Sequence, residues 1–108
     1  MARQQKKWIG LGGVWIDPVT QNTGDFNAED KTLHIIAGGQ GTVQVTLPAP
    51  QKGVNIFIKA MTSDIVADPV QINPNGTELI DNLSGPHNLT SDKQTIHLVT
   101  DGADWYIL

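Results

Sequence analysis

The three histidines are the first residues to consider as catalytic groups or metal ligands. His34, His87 and His97 are far apart in the sequence, and none has a second ligand at the spacing of a recognisable metal site. His34 and His97 fall in segments that alternate like β-strands, where a histidine usually makes a structural hydrogen bond. The pattern predicts structural histidines and no bound metal.

Two pairs of aspartates are the next candidates, because paired carboxylates can perform acid–base chemistry or bind calcium. Asp64 precedes Asp68 by one short segment, and Asp101 precedes Asp104 in the same way. Both pairs lie in predicted turns, where an aspartate accepts hydrogen bonds from backbone N–H groups that the turn leaves unpaired. Residues 73–78 lack the alternating acidic positions of a calcium loop and also predict a turn. We expect all of these carboxylates to be turn-forming.

No other motif suggests catalysis. The glycines at 38–41 lead into a strand and not a helix, and no lysine follows them as in a phosphate-binding loop. The nucleophile-elbow motif is absent, and the predicted strands carry no carboxylate pair of the kind that hydrolyses polysaccharides. The sequence therefore favours a protein that is not an enzyme and has no cofactor.

Composition narrows the function further. The chain has 108 residues, which is the size of one compact domain, and a formal net charge of -4. This charge argues against a general affinity for nucleic acid, which requires a basic surface. The absence of cysteine excludes disulfides and thiolate zinc sites. With no apolar run near the ~20 residues that span a bilayer, and no apolar signal core, we expect synthesis in the cytoplasm and no membrane contact.

The elements that position these residues are predicted to be strands. The 11 glycines and 6 prolines leave no window for a helix of ordinary length. Apolar and polar side chains alternate in residues 41–47, 54–60 and 95–100, the period of a strand with one buried face. Residues 48–53 contain two prolines and form a connection. The residues therefore predict an all-β chain.

The end of the chain predicts a hairpin. Asp101 and Gly102 supply turn chemistry between the strand at 95–100 and a last strand at 105–108. Since this strand ends on an apolar residue, we expect Leu108 to be packed. Shorter strands are predicted at residues 33–37, 70–72, 78–81 and 87–89.

The first thirty residues have a different character. Basic residues come early, and two tryptophans lie within a glycine-rich stretch without a clean period. We therefore divide the chain into an extended N-terminal arm, residues 1–30, and a β domain, residues 31–108. Tryptophans anchor interfaces well, and the basic residues would have their own electrostatic partner. The alternatives are a disordered terminus or an ordinary edge strand covering one end of the core. The candidate contact residues are Arg3, Lys6, Lys7, Trp8 and Trp15.

Four segments of residues 32–108 carry a resemblance to a known group of proteins. They read GTVQVTLP at 41–48, GVNIFIKA at 53–60, PVQINPNGT at 69–77 and TIHLVTDGADWYIL at 95–108. In this order they resemble a β-sandwich module that recurs in virion proteins of tailed bacteriophages. The resemblance implies that residues 31–108 form a single antiparallel β-sandwich domain of the jelly-roll type. Such modules occur in tail fibres and spikes and as small proteins that decorate the capsid, commonly as trimers.

The resemblance implies a structural role on a virus particle. Because this chain starts at Met1 and ends on the last strand of the module, a stand-alone protein is favoured over part of a long fibre. The expected function is a capsid decoration (cement) protein, a homotrimer that binds the major capsid protein on the outside of a phage head and stabilises the shell. It would need no direct nucleic-acid contact. The alternative is a receptor-binding module of a tail or head fibre, with loops near residues 69 and 84–87 touching a host molecule.

Overall fold

A computed structural model describes residues 7–8 and 15–108, with side chains from residue 16 onward. These residues contain strands, turns and bends and no helix, so the prediction of an all-β chain is confirmed. Within the described part of the chain no helix is long and apolar enough to cross a membrane. The strands of these ranges are β1 (Lys7–Trp8), β2 (Trp15–Gln21), β3 (Phe26–Asn27), β4 (Thr32–Ala37), β5 (Val43–Thr46), β6 (Asn55–Met61), β7 (Val70–Asn73), β8 (His87–Asn88), β9 (Thr95–Thr100) and β10 (Trp105–Ile107).

The predicted strands coincide with most of these elements. Strands β5, β6 and β9 occupy the three alternating segments, and β4, β7 and β8 occupy three of the four shorter ones. Residues 78–81 form no strand; Ile80 makes only isolated bridges, to Leu83 and to Trp105. In β5 the side chains of Val43 and Val45 are buried and their neighbours are half-buried, as the period of two requires.

Two mixed sheets contain all ten described strands. One has six strands in the order β1-β2-β4-β6-β9-β10, and the other has four in the order β3-β5-β7-β8. Between β2 and β7 the chain alternates between the sheets, so each circuit adds one strand to each. Within the sheets β2, β4 and β6 are parallel, and so are β3, β5 and β7. This is the arrangement of coils in a β-solenoid.

The expectation of an antiparallel, jelly-roll sandwich is therefore wrong in its pairing, although the β class is correct. A short turn returns the chain beside the strand it has just left and makes the two strands antiparallel. Here every connection from β2 to β7 carries the chain into the other sheet, so each of β4 to β7 runs parallel to the earlier strand beside it. Antiparallel pairing is found for β1 with β2, β7 with β8, and β9 with β6 and β10.

The core lies between the two sheets. Both contribute side chains that are at most 5% exposed, among them Ile56, Ile58 and Leu98 from the larger sheet and Val45 and Ile72 from the smaller. Removing this apolar area from water is the main favourable term in folding. The two inward faces thus form one continuous core.

The last two strands form the predicted hairpin, with β9 and β10 antiparallel. Gly102 has a φ of 98°, a conformation that favours glycine in such turns. The prediction that Leu108 packs is wrong, because its side chain is 74% exposed. The backbone of Leu108 still donates a hydrogen bond to the His97 carbonyl at 2.9 Å, so the strand is held although the side chain is free.

Strands β2 and β3 lie within the range assigned to the N-terminal arm. Strand β2 pairs with β4 from Asp17 to Gln21, and Ile16 is fully buried. Strand β3 pairs with β5, and Ala28, just after it, belongs to the core. The division of the chain at residues 1–30 and 31–108 remains a prediction.

Candidate functional site

The five predicted contact residues lie at or beyond the edge of the described structure. Arg3 and Lys6 lie outside the described residues. Lys7 and Trp8 form β1, and the backbone register places Trp8 opposite Trp15 and Lys7 opposite Ile16. The ladder therefore brings the backbones of three predicted contact residues together at one edge of the larger sheet. Their role in binding stays a prediction.

His34 is a structural histidine, as predicted. It is fully buried on the inward side of β4, where its Nε2 accepts a hydrogen bond from the Glu29 N–H at 2.9 Å. Its Nδ1 lies 2.9 Å from Gln21 Oε1 and, with Nε2 accepting, is the protonated nitrogen. Phe26 packs against the ring, with centroids 4.9 Å apart. Both nitrogens are occupied, so the ring is committed to holding β2 and the β3–β4 connection in place.

His97 is the second structural histidine, on the outward side of β9. Its Nε2 lies 2.7 Å from Asn55 Oδ1, and its ring stacks on Phe57 with centroids 4.0 Å apart and planes 13° apart. Partial burial lowers the pKa of His97 below its ordinary value of 6.5, because the charged imidazolium is the less well solvated form. The neutral ring therefore predominates at neutral pH.

Asp68 joins two loops rather than facing a substrate. Its Oδ2 accepts hydrogen bonds from the Gly39 N–H at 2.9 Å and the Thr62 hydroxyl at 2.8 Å, and its Oδ1 accepts one from the Gly41 N–H at 3.0 Å. The Gly39 N–H, the Thr62 hydroxyl and the Gly41 N–H together lower the pKa of Asp68. This carboxylate closes the glycine loop at 38–41 and is held ionised, unlike a general acid.

Asp64 and Asp101 have the turn roles expected of them, whereas Asp104 bonds a distant segment of the chain. Asp64 Oδ1 accepts hydrogen bonds from two N–H groups of its own turn, both at 3.2 Å. Asp101 Oδ1 does the same at 2.9 Å, and its Oδ2 accepts from the Tyr106 hydroxyl at 3.0 Å. The Asp104 and Ala103 N–H groups and that hydroxyl lower the pKa of Asp101, while the bond to Asp101 raises the pKa of Tyr106. Asp104 Oδ1 accepts from the Leu79 N–H at 2.9 Å.

A carboxylate also closes the loop at residues 73–78, because Glu78 Oε2 accepts hydrogen bonds from the Asn75 and Gly76 N–H groups. Residues 73–78 therefore form the turn that the sequence predicts. Across the described residues, no group of three His, Asp or Glu side chains is placed to hold a metal ion.

The outward side of the larger sheet is the first candidate for an interaction surface. Outward side chains of β4, β6, β9 and β10 alternate with the core residues and are mostly apolar. The apolar face, as it is called below, consists of Leu33, Ile35, Phe57, Val99 and Tyr106. Tyr106 is 39% exposed, and Met61 beside this face is 41% exposed. An apolar sheet surface of this kind is typical of a protein that binds another protein.

The outward side of the smaller sheet has the opposite chemistry. Its outward positions on β3, β5, β7 and β8 carry amide side chains, called the amide face below: Asn27, Gln44, Gln71, Asn73 and Asn88. Gln44 Nε2 donates to Gln71 Oε1 at 2.6 Å, and Asn73 Nδ2 donates to Gln44 Oε1 at 2.8 Å. The amides form a ladder across neighbouring strands and remain wettable.

Sequence reasoning identified which side chains share a face but not which face points outward. In residues 54–60 it separated Asn55, Phe57 and Lys59 from the other set, and the structure places that first set outward. The missed feature is the apolar face itself. The available signal was β4, where Leu33 and Ile35 alternate with Ile36 and leave both sides partly apolar.

A scan against protein-family models found no match to this chain, and no curated protein is significantly similar to it.

Proposed function

We propose that this chain is a structural virion protein, a capsid decoration (cement) protein that binds the outside of a phage head as a trimer and stabilises the shell. The observation that carries the proposal is the contrast between the apolar face and the amide face. One side of the molecule suits a protein contact, and the other suits water. The turn carboxylates, whose oxygens are occupied by backbone N–H groups, favour a binding role over catalysis.

The physical mechanism of such a protein is multivalent binding. A trimer that touches several capsid subunits adds weak contacts into one strong attachment, because the second and third contacts form at high effective concentration. Binding that favours the assembled shell raises the free energy needed to open it. In this proposal Arg3, Lys6, Lys7, Trp8 and Trp15 contact the major capsid protein.

The first experiment counts copies of the chain in purified particles, by quantitative gel or mass spectrometry. Hundreds of copies per particle would support decoration of the head. A handful would favour the alternative, a receptor-binding module of a tail or head fibre. One observation speaks for that alternative: every residue of the loop 81–86 is exposed, and Leu83 is 69% exposed.

A second experiment tests the basic contact residues. Removing three charges with Arg3→Ser, Lys6→Ser and Lys7→Ser should weaken binding to particles stripped of the protein by roughly tenfold, since exposed ion pairs contribute modestly and add. The matched control removes the exposed Lys31, Lys52 and Lys93 in the same way. Binding is measured by co-sedimentation and shell stability by the temperature of DNA release. Equal loss in both triple variants would mean that only overall charge matters, and the assignment of these residues would be wrong.

A further inference from the structure

We infer that the apolar face of the six-stranded sheet is the surface through which copies of this chain associate with one another. The inference rests on the homo-oligomer of the proposed function and names its contact surface, but it does not depend on a capsid. Three properties of the described residues support it: the charge of the face, the hydrogen bonding of its polar groups, and its size.

The charge of the face suits a second copy of the same chain. The chain carries 11 acidic and 7 basic residues, so two copies repel each other on average. No outward position of β4, β6, β9 or β10 holds an aspartate or glutamate. Asp101 reaches only the edge of the face, through the Tyr106 hydroxyl. Two copies can therefore approach here without bringing carboxylates together.

The polar side chains on these strands already have partners within the chain. Asn55 bonds His97 through Oδ1 and the Gly53 carbonyl through Nδ2. The Lys59 ammonium donates to the Lys93 carbonyl at 2.9 Å and to the Thr95 hydroxyl at 3.3 Å. Polar groups that keep their hydrogen bonds cost little to remove from water, whereas unpaired ones cost much. The neutral side chains of Asn55 and His97 can be covered without losing their bonds. The Lys59 ammonium reaches Lys93 and Thr95 at an exposed position, where its charge keeps contact with water.

The size of the face matches a protein interface. Neighbouring strands lie about 4.8 Å apart and rise about 3.3 Å per residue. The strands from β2 to β10 thus form a surface about 24 Å wide and 20 Å long. With the relief of its side chains, such a surface approaches the roughly 800 Å² per partner of a standard interface. The exposed Met61 at the end of β6, Tyr106 on β10 and Leu108 after β10 add apolar area.

The test compares the same new charge on the two outer faces. Val99→Glu and Ile35→Glu place a carboxylate on the apolar face of each copy. Gln71→Glu is the matched control, because it adds the same charge on the amide face and keeps the oxygen that accepts from Gln44. Molar mass is measured by light scattering over a range of concentrations, and folding is checked by circular dichroism. A conservative variant, Val99→Thr, is included in case a glutamate prevents folding.

The expected result is an oligomer for the wild-type chain and for Gln71→Glu, and a folded monomer for Val99→Glu and Ile35→Glu. Val99→Thr is expected to raise the dissociation constant at least tenfold. Two results would overturn the inference: a wild-type chain that is monomeric at all concentrations, or face variants that associate as the wild type does. A monomeric wild type would leave the proposed function open, because copy number on particles is measured independently.

Discussion

The two outer faces of this molecule differ although the two sheets are built alike on the inside. Inward positions of both sheets contribute aliphatic side chains to one core, and the larger sheet adds the buried His34 and Trp105. Outward, the larger sheet carries an apolar face around Phe57, and the smaller sheet carries a ladder of amides around Gln44. Both inward faces must be largely apolar because they pack against each other in one core. The main difference between the sheets is therefore the chemistry of their outward side chains.

The difference between the two outer faces indicates which surface of this small chain is suited to binding a partner. A sheet that faces water on one side normally alternates apolar and polar residues, as β5 and β7 do. Strand β4 departs from this rule, because Leu33 and Ile35 stand outward while Ile36 points to the core. Such a departure lowers solubility unless the surface is covered. The departures cluster on one face, which is why that face is the proposed contact between copies.

The largest expected effect is the loss of stability when a core side chain of either sheet is truncated, and it tests whether both sheets contribute equally to the core. Leu98→Ala in the larger sheet and Ile72→Ala in the smaller should each lower the free energy of unfolding by about 3 kcal/mol, because each removes a fully buried side chain and leaves a cavity. The measurement is denaturant unfolding followed by tryptophan fluorescence at one protein concentration. Thr42→Ala, at an exposed position, is the control and should change stability by less than about 0.5 kcal/mol.

A cost below about 1 kcal/mol for Ile72→Ala alone would break the comparison, since a loss that small is far below the range for a buried aliphatic side chain. The smaller sheet would then contribute little to the common core.

A smaller loss of stability is expected when a side chain on either outer face is truncated. Phe57→Ala should lower the free energy of unfolding by about 2 kcal/mol, because this side chain is only 7% exposed and stacks on His97. Gln71→Ala should cost about 1 kcal/mol, the usual net value of one hydrogen bond. Phe57→Leu serves as control, because it keeps most of the apolar volume. If Gln71→Ala were the more costly change, hydrogen bonds and not packing would dominate the outer surfaces.

The smallest expected effect is a pH dependence confined to the apolar face. The pKa of His97 lies below 6.5 in the folded chain, so the unfolded chain binds the proton more readily. Stability is therefore full above about pH 6.5 and declines as the pH falls from there through the folded pKa. Melting curves between pH 7.5 and 5 should show a lower melting temperature at acidic pH.

His97→Gln is the control for this prediction, because glutamine has no proton to bind in that range. The difference in melting temperature between the two proteins should shrink or reverse as the pH falls. A constant difference across the range would show that His97 does not couple folding to pH.

Several local features could be predicted from the sequence. The alternation in residues 41–47, 54–60 and 95–100 identified β5, β6 and β9, and the Asp101-Gly102 turn identified the last hairpin. The aspartates were expected to cap turns because their side chains reach nearby backbone N–H groups, and those bonds are present. Each of these features depends on residues close in the chain, which is why a pattern could reveal them.

The partners of each strand could not be predicted in this way. The alternation of Val43 and Val45 reports one buried side but is the same for a parallel or an antiparallel neighbour. Strand β4 pairs with β2 and β6 because the intervening chain crosses to the other sheet and back, and no local residue type encodes that route. The exposure of Leu108 has the same origin, since the period of two places it on the side of Tyr106, and only the packing of the sheets turns that side outward.

The sequence by itself determined the β class, the position of most strands and the turn roles of Asp64 and Asp101, because these follow from backbone periodicity and short-range hydrogen bonding. The bonds of Asp68 and Asp104 to distant backbone N–H groups were decided by the tertiary structure. Only the tertiary structure decided which face points inward in a strand that is apolar on both sides. Phe57 and Ile58 are equally apolar neighbours, and the packing of the two sheets against each other placed Ile58 in the core and Phe57 outside. Burial is a property of the whole assembly of strands, so the apolar face became visible only once both sheets were in place.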